Sequence, residues 1–369
     1  MRIDDLNHHA TVKKLSKVIM RYSPLGSSGL SVSRVCLGTM TWGIQNSQAD
    51  ADNQLAYSLD AGVNFIDTAE MYPVPPTEAT YADTERCIGD WLSRNKQKRD
   101  DIILATKIAG PGLAYIRDNS LITGDNVAIA LEGSLTRLQT DYIDVYQLHW
   151  PNRSTAHFGT HWPNQVKPTK TDVAKEKDRM RDILVGVNKA IVSGKIRHWA
   201  LSDDTTWGIH TYLRLCEEMN IPKPVSIQNE FNILHTKDWP FLIESCVFEE
   251  IAYLPWSPLS GGMLSGKYLD GARPKGSRWT LVQRNGLFRD NPQSQKATKA
   301  YCDIAAKYNI TPSQLALAWV DQVDGVTSTI IGATTMAQLR ENIAAFDITL
   351  VDECLKETEQ VLMQYPMPF

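Results

Sequence analysis

The chain has 369 residues, 43% of them hydrophobic and 22% charged, with a formal net charge of −4. That length and balance suit one soluble, elaborated α/β domain with a large buried core. The small negative charge gives no electrostatic reason for nucleic acid or an anionic membrane as partner, and no stretch reaches the roughly 20 apolar residues that span a bilayer.

In chain order, residues 1–20 are polar, carry His8-His9 and lack the apolar run and small-residue cleavage site of a secretory signal. They are expected to be a flexible extension ahead of a single domain over residues 21–369, or to precede a functional start of translation at Met20. From Tyr22, the segment YSPL, the turn residues Gly26-Ser27-Ser28-Gly29 and the alternating LSVS predict a hairpin. Eight short apolar runs follow, at residues 35–38, 63–67, 102–106, 144–150, 196–202, 225–231, 251–257 and 328–332. Helical periodicity between them predicts helices near 50–60, 84–94, 126–138, 178–193, 205–219, 239–249, 294–308 with 312–320, and 335–345. Asp83-Thr84-Glu85, Asp125-Asn126 and Thr311-Pro312 read as helix starts.

Short strands poor in polar residues, each followed by a helix, describe parallel strands covered on their outer face. Eight such units predict a (β/α)8 TIM barrel rather than an open sheet, and neither G-x-G-x-x-G nor a P-loop is present. Two long connections, over residues 150–178 and 261–292, follow the fourth and seventh barrel strands, so both fall on the face where such barrels place their active sites. The six cysteines (Cys36, Cys87, Cys216, Cys246, Cys302 and Cys354) are scattered singly. They are expected to be packing residues in a reducing cytoplasm.

Polar residues at strand ends carry the chemistry. Asp67 ends the second barrel run, Lys107 follows the third and His149 ends the fourth, so their side chains are expected to converge above the barrel core, with Tyr72 reaching back from the loop after the second strand. Such a cluster suits proton transfer to a carbonyl oxygen. An ammonium beside a phenol lowers its pKa from ~10. Asp67 would keep Lys107 charged and aimed, and His149 would donate a hydrogen bond to the substrate oxygen. No serine or cysteine nucleophile sits beside a base, and the eight histidines form no HExxH, so no metal centre is predicted.

The run GVNFIDTAEMY (62–72), with Glu85 and Gly89 after it, the lysine at the third strand and the LHW at the fourth, resembles the aldo-keto reductase superfamily. The resemblance spans residues 22–345. It implies NADPH-dependent reduction of a small aldehyde or ketone, with Tyr72 as general acid, Lys107 and Asp67 as its partners and His149 positioning the carbonyl. It further implies that Ser202 and Gln228 hold the nicotinamide carboxamide, with Asp203 at a position where the family has asparagine, and that Trp256 stacks on the ring. WSPLSGGMLSGKY resembles the pyrophosphate-gripping loop, matching Ser257, Leu259, Gly262 and Lys267. IIGATTMAQLREN resembles the adenosine cradle, matching Gly332, Thr334, Gln338, Glu341 and Asn342. Arg278 resembles an arginine that grips the 2′-phosphate of NADPH. The superfamily includes cofactor-binding regulatory subunits of potassium channels with weak reductase activity, which is the alternative reading. A non-redox barrel enzyme does not account for the joint Trp256 and IGATT segments. The partners expected are thus NADPH/NADP+ and a small carbonyl substrate, with no nucleic acid and no membrane, while self-association into a homo-oligomer is left open by the exterior helices.

Overall fold

The computed structural model describes residues 20–162, 165–166, 173–281 and 287–369. The expectation for residues 1–19 and parts of both long connections lie outside the described residues. Met20, assigned from sequence to the extension, packs against the core.

Two antiparallel strands open the fold, β1 (Tyr22–Pro24) and β2 (Ser31–Ser33), paired Tyr22 to Ser33. This is the expected hairpin. Its Leu25 and Val32 are buried together with residues of the barrel interior. Gly26, at φ +52°, lies so close to the Val225 and Glu250 carbonyls that a side chain could not be placed there.

The eight barrel strands are β3 (Val35–Gly38), β4 (Phe65–Asp67), β5 (Ile103–Ile108), β6 (Ile143–Leu148), β7 (Ile196–Ser202), β8 (Ser226–Glu230), β9 (Ala252–Trp256) and β10 (Thr329–Ile331). All adjacent pairs are parallel, in the order β10-β3-β4-β5-β6-β7-β8-β9. Closure between β9 and β10 comes from the Thr327 amide donating to the Tyr253 carbonyl at 2.9 Å. Alternation along the strands divides the core in two. Cys36, Phe65, Ala105, Val145, Ala200, Leu254 and Ile330 fill the interior, while Leu37, Ile66, Leu104, Tyr146, Leu201, Ile227, Tyr253 and Ile331 face the helices.

The outer helices are α1 (Gln48–Asp60), α2 (Asp83–Arg94), α3 (Gly124–Leu138), α4 (Val173–Val192), α5 (Thr206–Met219), α6 (Phe241–Phe248), α7 (Pro292–Lys307), α8 (Pro312–Asp321), α9 (Met336–Ala344) and α10 (Asp352–Gln364). Thr311 caps α8 in a full capping box, as its sequence predicts. Two other starts differ. Asp83 and Glu85 lie inside the first turn of α2, whose preceding residue Ala82 makes no side-chain cap, and α3 is capped by Thr123 rather than by Asp125-Asn126. Helix α10 was not predicted. It covers a second apolar core with α7 and α8, in which Cys354 and Ile304 are buried. All six cysteines are unpaired, and all but the half-buried Cys302 are buried. No helix among the described residues is long and apolar enough to cross a membrane.

Glu85 and Gly89 have structural explanations. The Glu85 carboxylate is fully buried and accepts from Thr106 Oγ1 (2.5 Å) on β5 and Arg137 Nε (2.6 Å) on α3, tying three elements together. One turn later, Gly89 lets α2 approach the Arg137 carbonyl so closely that a Cβ would overlap it. Replacing Gly89 with alanine is therefore expected to destabilise the fold by about 2 kcal/mol or more, since a backbone carbonyl cannot swing aside. A thermal melt of Gly89→Ala checks this.

Candidate active site

The predicted four side chains do converge. Lys107, on β5, is fully buried and donates from Nζ to Asp67 Oδ2 at 2.6 Å and to the Thr68 carbonyl at 2.8 Å. Its ammonium lies 4.9 Å from the centre of the Tyr72 ring, close enough for its charge to act on the phenol. His149 follows β6, is 5% exposed, and meets the Tyr72 ring edge-on at 5.5 Å.

Asp67 does more than face Lys107. Its second oxygen, Oδ1, accepts from Gln147 Nε2 and from Gln228 Nε2, both at 2.9 Å, so one carboxylate links β4, β5, β6 and β8. Sequence reasoning missed Gln147. Its signal was a polar residue inside an apolar strand run, two before His149 and so on the same face.

Burial and charge set the protonation states. Burial disfavours the Lys107 ammonium, but Asp67 and Tyr72 outweigh it and the lysine pKa rises. For Tyr72 the expectation of an acidified phenol is corrected. Burial raises its pKa more than Lys107 lowers it, with Asp67 and Asp203 adding to the rise. The phenol thus holds its proton at neutral pH. Burial, with Lys107 and His157, drives His149 well below the usual imidazole range, so it is neutral. Its Nδ1 has no partner.

A second set of groups borders this cluster. Trp256 ends β9 and donates from Nε1 to Asp203 Oδ1 at 3.1 Å. Beyond it the chain turns through Ser257, Ser260, Gly261 and Gly262, all at positive φ, with the Gly261 amide donating to Ser257 Oγ at 3.0 Å. The Lys267 side chain lies against Gly262, where a Cβ would meet it at 3.0 Å, and the Arg278 guanidinium lies beside Gly261. Burial and the nearby Arg278 lower the Lys267 pKa, and burial with Arg289 lowers that of Arg278. Among the described residues neither cation has a carboxylate partner within ion-pair distance. Two cations over a glycine turn set up a positive potential that favours an anion.

Residues 34–362 match the Aldo/keto reductase family. The chain belongs to that family. The protein tas of Escherichia coli is 41% identical over 352 residues, 95% of this chain and 99% of that protein. An uncharacterized oxidoreductase of Bacillus subtilis is 30% identical over 345 residues, 91% of this chain and 94% of its own. A probable voltage-gated potassium channel subunit beta of Arabidopsis thaliana is 30% identical over 356 residues, covering 94% and 98%. As an aldo/keto reductase, the chain is an oxidoreductase whose reaction is NADPH-dependent carbonyl reduction.

The remaining aldo/keto reductase positions fall into two groups. Ser202, Asp203 and Gln228 are buried at the C-terminal ends of β7 and β8. The Gln228 amide nitrogen is committed to Asp67 and Gln147, which leaves its carbonyl oxygen to offer a ligand. Near β10, the other residues are occupied among themselves. Gln338 Oε1 accepts from the Thr334 amide (2.9 Å) and hydroxyl (3.0 Å), Asn342 donates to the Gly332 carbonyl (3.1 Å), and Glu341 accepts from Thr311 (2.6 Å). Leu259 is half-buried against both apolar cores.

Asp203, where the resemblance implies asparagine, is a carboxyl group whose pKa is raised. It is buried, at φ +49°, and burial lifts its pKa to about 7. Lys237 and the Trp256 hydrogen bond act against the rise, while Glu230 and Asp238 add to it. Below that value the neutral acid can donate a hydrogen bond as an amide does; above it, it cannot. The folded state then binds a proton that the unfolded chain releases near 3.8, so this residue's contribution to stability falls as pH rises towards 7. Relative to Asp203→Asn, the wild type should lose roughly 2–3 kcal/mol between pH 5 and pH 8. Denaturant unfolding of both proteins at the two pH values measures the difference.

Proposed function

We propose that this chain reduces a small aldehyde or ketone to its alcohol at the mouth of the barrel, with Tyr72 as the proton donor and NADPH as the reductant. The observation that carries the reading is the buried Lys107–Asp67 pair set under the Tyr72 ring. NADPH, when bound, supplies the hydride. Trp256, the open carbonyl of Gln228, Ser202 and Asp203 surround the place for its nicotinamide. Lys267 and Arg278, above the Gly261-Gly262 turn, suit its phosphates. Gly332, Thr334, Gln338, Glu341 and Asn342 would shape the adenosine end.

Within that arrangement the residues divide the work. A neutral His149 donates to the substrate oxygen without carrying charge into the site. Tyr72, held protonated by burial, gives its proton to the same oxygen as negative charge develops there. Lys107 then stabilises the phenolate left behind, and Asp67 keeps the ammonium charged and fixed. Trp150 and Phe158, with ring centres 6.4 Å apart, and Phe158 against Trp256 at 5.7 Å, form the aromatic border that a small carbonyl compound would meet.

Replacing Tyr72 with phenylalanine should lower turnover by about 100-fold or more while NADPH affinity, read by fluorescence titration, stays within a few-fold. Near-normal turnover would remove Tyr72 as the acid. Arg278→Gln should weaken NADPH by about tenfold and NADH much less, because only the former carries the 2′-phosphate. Equal losses would assign Arg278 to the shared pyrophosphate.

A further inference from the structure

Sequence spacing predicts no metal centre, yet folding brings three donors together from separate segments. Glu230 is the last residue of β8, His235 lies five residues beyond it, and His161 comes from the loop after β6. One donor atom from each lies within 4.8 Å of the others, and among the described residues this is the one such group of histidine, cysteine, aspartate and glutamate. His235 is fully buried and Glu230 is 2% exposed.

These donors are unused. Both ring nitrogens of His161, both of His235, and Glu230 Oε2 have no hydrogen-bond partner. Buried polar atoms are rarely left so, and three of these, one from each residue, lie together where a shared ligand would satisfy them. The rest of each side chain is held. Glu230 Oε1 accepts from Arg289 Nε at 3.0 Å, which leaves Oε2 as its free oxygen. The Phe369 ring stacks on His235 at 5.6 Å, Phe288 meets His161 edge-on at 6.3 Å, and the two imidazoles are 4.6 Å apart.

We propose that His161, Glu230 and His235 bind one zinc-class divalent cation. Two neutral imidazoles and one carboxylate form a three-ligand tetrahedral set with water in the fourth position. Bonds of about 2.0–2.2 Å put such ligands roughly 3.4 Å apart, so only small side-chain movements close the present spacing. The positive charges of Arg289 and Lys237 oppose a cation. Glu230 lies between Arg289 and the proposed cation and shares its one negative charge with both, and Lys237 Nζ is held away by the Ala156 carbonyl at 2.7 Å. A cleft of about 510 Å³, lined by His161, Trp162, Lys237 and Trp239 with Pro366 and Met367, gives an entry path. The ion would tie the segment carrying Phe158 to the barrel rim beside Trp256.

The test uses the full chain, stripped of metal and titrated with zinc sulfate against a chromophoric chelator. Wild type should take up one equivalent, and zinc should raise its melting temperature. His161→Ala and Glu230→Gln should each weaken that uptake by about tenfold or more while NADPH binding confirms a folded protein. His161 is half-buried on a loop, so its variant decides the matter should Glu230→Gln fail to fold. Failure of wild type to bind one equivalent, or uptake unchanged in a folded His161→Ala protein, overturns the site.

Discussion

An ammonium buried out of reach of water keeps its proton only beside a carboxylate, and the rest of this barrel mouth is arranged around that requirement. Lys107 is fully enclosed, and Asp67 holds it at 2.6 Å. Burying the pair alone would be costly. Its remaining valences are filled by the Thr68 carbonyl and by Gln147 and Gln228, so the network is satisfied at each oxygen of Asp67. Because those donors come from β5, β6 and β8, the carboxylate also senses strand register across half the barrel.

The same burial governs the neighbours in opposite ways. It keeps the phenol of Tyr72 protonated and His149 neutral, and it pushes Asp203 to about 7. The mouth therefore presents hydrogen-bond donors around a single fixed positive charge, which favours a substrate whose oxygen becomes negative. On the far side of Trp256, Lys267 and Arg278 stand over the glycine turn with no acidic partner among the described residues, an electrostatic arrangement that favours an anion.

Much of this was legible because a barrel places strand ends predictably. Short apolar runs between segments of helical period located all eight barrel strands, and Asp67, Lys107 and His149 were found simply as polar residues at three of their ends. What escaped had no local period to show it. Gln147 reads as part of an apolar run until Asp67 is seen to accept from it. The acidified Tyr72 was misjudged because sequence reveals a charged neighbour but not the degree of enclosure. Helix α10 is the exception, since Asp352 and Glu353 in its first turn and the buried Cys354 and Thr358 one turn apart were a local signal that went unread. Glu230, Arg289 and His161 are distant in sequence and meet only after β6 and β8 become neighbours of the same rim. The long connections mark the functional face, but their contacts depend on packing that no local pattern encodes.

The chemistry at this mouth requires Asp67 to hold Lys107 in place for Tyr72. Single-turnover oxidation of bound NADPH by a carbonyl substrate, in wild type and in a folded Asp67→Asn protein, tests it most directly. The substitution should slow this step by about 100-fold while the affinity for NADPH changes only a few-fold. A single-turnover rate equal to that of wild type would contradict it.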